Sequence, residues 1–178
     1  EIAAFQNKMP QFLQRAADLG FTHVEVSEGT TDLTPDQRVR YIRQARKSGF
    51  GVLSEIGKKD KAIHLDPHAA ILQINADLEN GAEKVIIEGR DSGKGVGIYD
   101  EDGKIRGELL GVLISGIGDI DKIIFEAPQT PQHNDLLTKI GPNVNLGNVQ
   151  PEDVLSLEST RAGLRGDTLR NLIKISQR

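Results

Sequence analysis

The feature that most constrains this chain is a recurrence. Short apolar, β-branched stretches each run into a polar residue and then a chain breaker, at near-regular intervals. Five are legible: Thr22–Ser27, Gly51–Glu55, Lys84–Glu88, Lys122–Glu126 and Asn143–Leu146. Their polar ends, Glu25, Glu55, Glu88, Glu126 and Asn145, fall 30, 33, 38 and 19 residues apart. The first three intervals hold a strand, two turns and a helix; the last leaves room for one short helix. Hydrophobicity this continuous over so few residues predicts parallel strands covered on both faces. The expected class is α/β, as a single domain over residues 1–178.

The helices between these strands carry clear punctuation. Thr34-Pro35-Asp36-Gln37 reads as a capping box with Pro in the first turn, and Gly49 closes a helix that turns Val39, Ile42 and Ala45 inward. Asp66-Pro67 opens a helix with Ala70, Ile71, Ile74 and Leu78 on its apolar face. Gly107–Ile117, a stretch from Thr130-Pro131 to Gly141, and a stretch from Pro151 complete the series, the last offering Val154, Leu155, Leu157 and Leu164 for burial. The chain also begins on a helix, with Phe12, Leu13, Ala16 and Leu19 on one face and Gly20 at its end.

Composition removes several chemistries. With no cysteine among 178 residues, disulfide scaffolds, Cys-zinc sites, iron–sulfur clusters and thiol catalysis are excluded. A net charge of −4 argues against nucleic acid or an anionic membrane as the main partner. There is neither an apolar run of spanning length nor a basic-then-apolar leader pattern, so cytoplasmic residence is the expectation. His23, His64, His68 and His133 form no HxH or HExxH pattern and read as surface or helix-end residues; GxSxG is absent as well. Zinc and serine hydrolases fall away.

Four constellations remain. Side chains alternate along a strand, so Leu53 with Glu55, Ile86 with Glu88, and Ile124 with Glu126 each share a face. In a parallel barrel such acids converge on the C-terminal rim, where barrel enzymes keep their sites, and an oxygen-only cluster suits a hard cation such as Mg²⁺. The competing reading for any one of them is a helix cap or an ion pair. Directly after the second strand comes Glu55-Ile56-Gly57-Lys58-Lys59-Asp60, whose lysines suit an acid, an anion ligand or a Schiff-base nucleophile, unless they are merely solvated. Glu88-Gly89-Arg90-Asp91-Ser92-Gly93-Lys94-Gly95-Val96-Gly97 makes a candidate anion cradle from Arg90, Ser92, Lys94 and backbone amides. It misses the Walker A pattern in spacing and in Gly95. Asn145, Gly147 and Asn148 stand where the last loops of a barrel bind phosphate, and Arg165 could add a cation or simply end a helix.

Taken in order, VEVSEGT, VLSEIGKKD, KVIIEGRDSGKGVGIYD, KIIFEAPQ, GPNVNLGNV and LESTRAGLRGDT resemble the phosphosulfolactate synthase family, from about Phe5 to Leu169. The resemblance implies a (β/α)₈ TIM barrel and a carbon–sulfur lyase that adds sulfite to phosphoenolpyruvate, giving (R)-2-phospho-3-sulfolactate for coenzyme M biosynthesis. It implies Mg²⁺ as cofactor, with Glu55, Glu88 and Glu126 favoured over Glu25 as ligands. The second lysine of the family's GKK motif, matching Lys59 here, is implied as general acid. Lys58, Arg90, Ser92, Lys94, Asn145, Gly147, Asn148 and Arg165 are then candidates for binding substrate anions. Small-molecule substrates and a homo-oligomer are expected, with no nucleic acid and no membrane. One alternative is a relative without this activity, similar to plant heat-stress-associated proteins; a weaker one is a barrel enzyme acting on another enol phosphate. A whole barrel takes about 250 residues. The five strands legible here would be strands 4–8 of such a barrel, with three N-terminal strands missing.

Overall fold

The computed structural model describes residues 2–29, 31–60, 62–166 and 168–169. Two helices, α1 (Ile2–Phe5) and α2 (Met9–Asp18), precede strand β1 (His23–Val26). There follow α3 (Pro35–Lys47), β2 (Gly51–Ile56), α4 (Pro67–Glu79), β3 (Lys84–Ile87), α5 (Gly107–Gly116), β4 (Ile123–Glu126), α6 (Thr130–Lys139), β5 (Asn145–Gly147) and α7 (Val154–Arg161). The strands form one parallel sheet in the order β1-β2-β3-β4-β5. Every strand thus lies beside its neighbour in sequence, as helix-returned strands do.

Local chemistry sets the helix starts. Thr34 accepts from the Gln37 amide while the Gln37 side chain accepts from the Thr34 amide, closing the expected capping box. Asp66 takes the amides of both His68 and Ala69, which holds its carboxyl below the usual carboxylate range.

The two faces of the sheet differ. Val85, Ile87, Ile123 and Phe125 pack with Ile74, Leu110, Leu113 and Leu136 into the main core, and Val24, Val26 and Val52 pack with Leu13, Ala16, Ile42 and Ala45 into a second one. On the opposite face stand Glu25, Leu53, Glu55, Lys84, Ile86, Ile124, Glu126, Asn145 and Gly147, which alternate with the core residues along the strands. Leu53, Lys84, Ile124, Glu126, Asn145 and Gly147 are only half-buried. The expectation of cover on both faces is met on one only among the described residues: helices cover that face, and the other carries the polar strand ends.

Three further expectations change. In α2 only Leu13 and Ala16 are buried, while Phe12 and Leu19 are 45% and 58% exposed. At the other end of the chain Val154, Leu155 and Leu164 stay exposed and Leu157 is half-buried. Both elements lie at the margins of the sheet, where the described residues supply no neighbour to receive an apolar stripe. His133 is not a surface residue but 1% exposed, its Nε2 2.6 Å from the Ala127 carbonyl. A buried imidazole there satisfies a backbone group that the turn after β4 would otherwise leave unpaired.

Candidate functional site

The C-terminal ends of β2, β3 and β4 bring three of the predicted carboxylates into one neighbourhood. Register makes them a staircase rather than a row. Glu25 is level with Leu53, Glu55 is level with Ile86, and Glu126 is level with Gly147, one step further on. Glu55 and Glu88 are 4% and 2% exposed, Glu126 is half-buried, and Glu25 at the bottom of the staircase is exposed. Burial, then the charges of Glu25 and Glu88, push the Glu55 carboxyl up to about 8, partly opposed by Lys59. Burial, then the adjacent Glu126 carboxylate, raises Glu88 as well.

These shifts have a sign for stability. A carboxyl raised above its unfolded value holds its proton more tightly when folded, so its stabilising share is complete below that value and lost as the pH climbs through the folded one. Without added divalent cation the protein is expected to lose stability from about pH 4.5 to about pH 8, the span over which Glu55 titrates. Urea unfolding at intervals across this range checks it. The slope should flatten in Glu55→Gln, and an equal slope in that variant would remove Glu55 as its source.

Lys59 sits above the carboxylates. Its Nζ lies 3.7 Å from Glu88 Oε2, and its side chain is half exposed, open to the rim. Its backbone is held from two sides: the N–H donates to the Gly29 carbonyl at 3.2 Å, and the carbonyl accepts from Arg90 Nη1 at 2.9 Å. The lysine stem lies so close over Gly29 that a Cβ there would come within 2.8 Å of Lys59 Cε. Lys58, one residue earlier, faces elsewhere. Its ammonium donates to the Glu28 carbonyl and to Asp32 Oδ1, tying the loop after β2 to the loop after β1. The pair of lysines is therefore split, one a loop tie and the other at the rim.

Arg90 is the hinge of the site. It takes a left-handed backbone, φ 57°, unusual for a residue with a Cβ. In that conformation its N–H reaches both Glu88 Oε1, at 2.7 Å, and Glu126 Oε2, at 3.1 Å, and Gly89 N–H donates to the same Glu126 oxygen at 2.8 Å. Gly89 must be glycine here, since a Cβ would meet the Glu126 carbonyl at 2.6 Å.

The glycines that follow serve packing. The amides of Gly93 and Gly95 are already used by the carbonyls of Gly89 and Asp100, so these two donors are not offered to an anion. A Cβ at Gly97 would lie 2.0 Å from the Glu88 carbonyl, which places this loop directly against the end of β3. Ser92 and Lys94 are exposed on its outer side.

The remaining candidates are spread out. Asn145 donates to the carbonyls of Asp121 and Ile123 and lies beside Lys84, holding β5 to the start of β4 rather than reaching the carboxylates. Gly147 packs on Ile124 and Glu126, Asn148 is exposed with φ 57°, and Arg165 donates to the Ser156 hydroxyl. Asp167, in the same stretch, lies outside the described residues.

Sequence reasoning passed over the layer behind the site. Arg38 and Asp77, 1% and 0% exposed, form a bidentate ion pair between α3 and α4, with Nε to Oδ1 at 2.9 Å and Nη2 to Oδ2 at 2.6 Å. The same Nη2 donates to the Glu55 carbonyl at 2.7 Å. Tyr99, fully buried, donates its hydroxyl to the Glu126 carbonyl at 2.7 Å. A weak signal did exist. Arg38 is four residues before Ile42 and falls on the face that was expected to be apolar.

As for a cation, among the described residues no three carboxylate or imidazole groups are gathered into a ready-made ion site. The donor chemistry nevertheless suits a hard cation. Glu55 Oε1 and Glu88 Oε2 are buried without a hydrogen-bond partner, and both carboxyls are destabilised as anions by burial first and then by neighbouring carboxylates, Glu25 and Glu88 for Glu55 and Glu126 for Glu88. Among the described residues no helix is long and apolar enough to cross a membrane.

Known proteins are similar to this chain in sequence and in fold. Residues 1–167 match the family described as (2R)-phospho-3-sulfolactate synthase (ComA). Phosphosulfolactate synthase from Methanocaldococcus jannaschii is 45% identical over 172 residues, covering 94% of this chain and 67% of the relative. The one from Methanothermobacter thermautotrophicus is 44% identical, covering 95% and 66%, and the one from Bacillus subtilis 39%, covering 92% and 65%. The chain thus spans about two thirds of the length of the curated relatives it matches. Among solved structures, a Pseudomonas aeruginosa protein provisionally assigned as a dihydrodipicolinate synthetase superposes with a TM-score of 0.53 at 18% identity, covering 88% of this chain and 49% of that one. That likeness concerns the fold alone.

Proposed function

The chain belongs to the (2R)-phospho-3-sulfolactate synthase family, and on that premise we propose that it carries the catalytic rim of an enzyme joining sulfite to phosphoenolpyruvate. The observation that carries the reading is Lys59, an ammonium 3.7 Å from a buried Glu88 and open to the rim. The sulfur lone pair of sulfite attacks C3 of phosphoenolpyruvate and forms the new carbon–sulfur bond. The C2–C3 π electrons move onto the carboxylate as an enediolate. Lys59 then delivers its proton to C2, completing (R)-2-phospho-3-sulfolactate with no group leaving. Glu88 keeps the ammonium aimed inward, and the two backbone bonds to Lys59 fix the loop from which it reaches.

Glu55, Glu88 and Glu126 are the residues that would hold Mg²⁺. When bound, the ion supplies positive charge for the enediolate. Glu55, pushed up to about 8, is mainly protonated at neutral pH and must release that proton to become a ligand. Titrating Mg²⁺ calorimetrically at pH 7, in buffers of different ionisation enthalpy, is expected to show release of about one proton per ion. Binding without proton release would take Glu55 out of the ligand set.

Anion-binding roles are proposed for Arg90, Ser92, Lys94, Gly147, Asn148 and Arg165, with Lys58 and Asn145 acting through loop placement. In the proposed whole protein three further strands close the sheet into a (β/α)₈ barrel. The half-buried face of Leu53, Lys84 and Ile124 supports this closure, and so does the staircase of acids, because tilted strands bring staggered positions to one height. Soluble cytoplasmic residence and self-assembly belong to the same proposal. The test is an assay of the full-length protein with phosphoenolpyruvate, sulfite and Mg²⁺, following phosphosulfolactate by mass spectrometry. Absence of product would overturn the reading and favour a relative without this activity.

A further inference from the structure

Behind the rim one buried side chain joins the third βα unit to the fourth. Tyr99 lies in the long connection between β3 and α5 and makes an antiparallel bridge with Ile105. Its ring is part of the main core, and its hydroxyl reaches the backbone carbonyl of Glu126 at 2.7 Å. Glu126 is therefore gripped at both ends by the same connection. The Tyr99 hydroxyl holds its carbonyl, while the amides of Gly89 and Arg90 hold its carboxylate at 2.8 and 3.1 Å. Arg90 passes the constraint on, since its guanidinium holds the Lys59 carbonyl at 2.9 Å.

The geometry points to Tyr99 as a positioning residue: its hydroxyl fixes the end of β4 so that Glu126 can lock the left-handed turn at Arg90, which in turn places Lys59. This rests on the proposed synthase reading for its consequence in catalysis, though not for the linkage itself. The hydroxyl touches neither the carboxylates nor the rim and acts only through Glu126. Two glutamines at the start of α6 hold the same connection from outside and support a role in placement. Gln132, 1% exposed on α6, donates to the carbonyls of Gly93 and Gly103, and Gln129 donates to that of Ser92. These clamps hold the middle of the loop, whereas Tyr99 alone among the three reaches a carboxylate-bearing residue of the rim.

Tyr99→Phe tests it, because it deletes one oxygen and keeps the ring in the core. In the full-length protein, amide hydrogen exchange at Gly89 and Arg90 is expected to speed up by about tenfold, with amides in α3 unchanged. Turnover is expected to fall by about tenfold, with KM for phosphoenolpyruvate moving less than about twofold. Unchanged exchange at Gly89 and Arg90 would overturn the inference, as would acceleration spread evenly over all amides, the mark of simple destabilisation. A rise in KM with turnover intact would also overturn it. Should the wild-type protein form no phosphosulfolactate, the synthase reading fails, while the exchange measurement still decides the linkage.

Discussion

Lys59→Ala is expected to lower turnover by about 10²–10⁴-fold, the range over which a positioned general acid contributes. KM for phosphoenolpyruvate should change far less, since the lysine is asked to act on the enediolate and not on the bound substrate. Lys59→Arg sharpens the test. Arginine restores a cation beside Glu88 yet gives up its proton far less readily than lysine. Proton donation predicts that the arginine variant stays nearly as slow as the alanine variant. Recovery of most activity in Lys59→Arg would make the residue an electrostatic ligand and leave the proton donor to be found elsewhere. Product formation by mass spectrometry, with initial rates at varied phosphoenolpyruvate, separates the two.

The largest effect on stability is expected from Asp77→Ala. Arg38 and Asp77 are both almost fully buried, and Arg38 Nη1 already lacks a hydrogen-bond partner. Deleting the carboxylate strands a guanidinium between α3 and α4, for which the expected cost is about 3–5 kcal/mol. For a domain of ordinary stability, about 5–15 kcal/mol, that is a large share. Urea unfolding measures it directly. The double variant Arg38→Met with Asp77→Leu removes both charges and keeps comparable volume, and should recover most of the loss. A double variant as unstable as Asp77→Ala would mean that the bond from Arg38 to the Glu55 carbonyl, not the ion pair, carries the stability.

The caps were readable because each is settled within about four residues. Thr34 needs only Gln37, and Asp66 only the two amides that follow it. Strand alternation likewise showed that Glu55, Glu88 and Glu126 share a face with apolar partners two residues earlier. It did not show their stagger, because register depends on the neighbouring strand. The glycine-rich loop after Glu88 invited an anion-cradle reading by composition. In the fold the amides of Gly93 and Gly95 are spent inside the loop, and Gly97 is there for close approach to Glu88.

By itself, then, the sequence determined the α/β alternation, the helix starts, the family and the cluster of strand-end acids with a lysine close behind. All of these depend on near neighbours or on long composite motifs. Only the tertiary structure decided that Lys59 and not Lys58 faces the carboxylates, that Glu25 stands below them, and that Arg38, Asp77 and Tyr99 support them from behind. Those outcomes rest on partners 17 to 39 positions away along the chain. A buried polar group is tolerated only where such a distant partner meets it, and no local pattern records which one that will be.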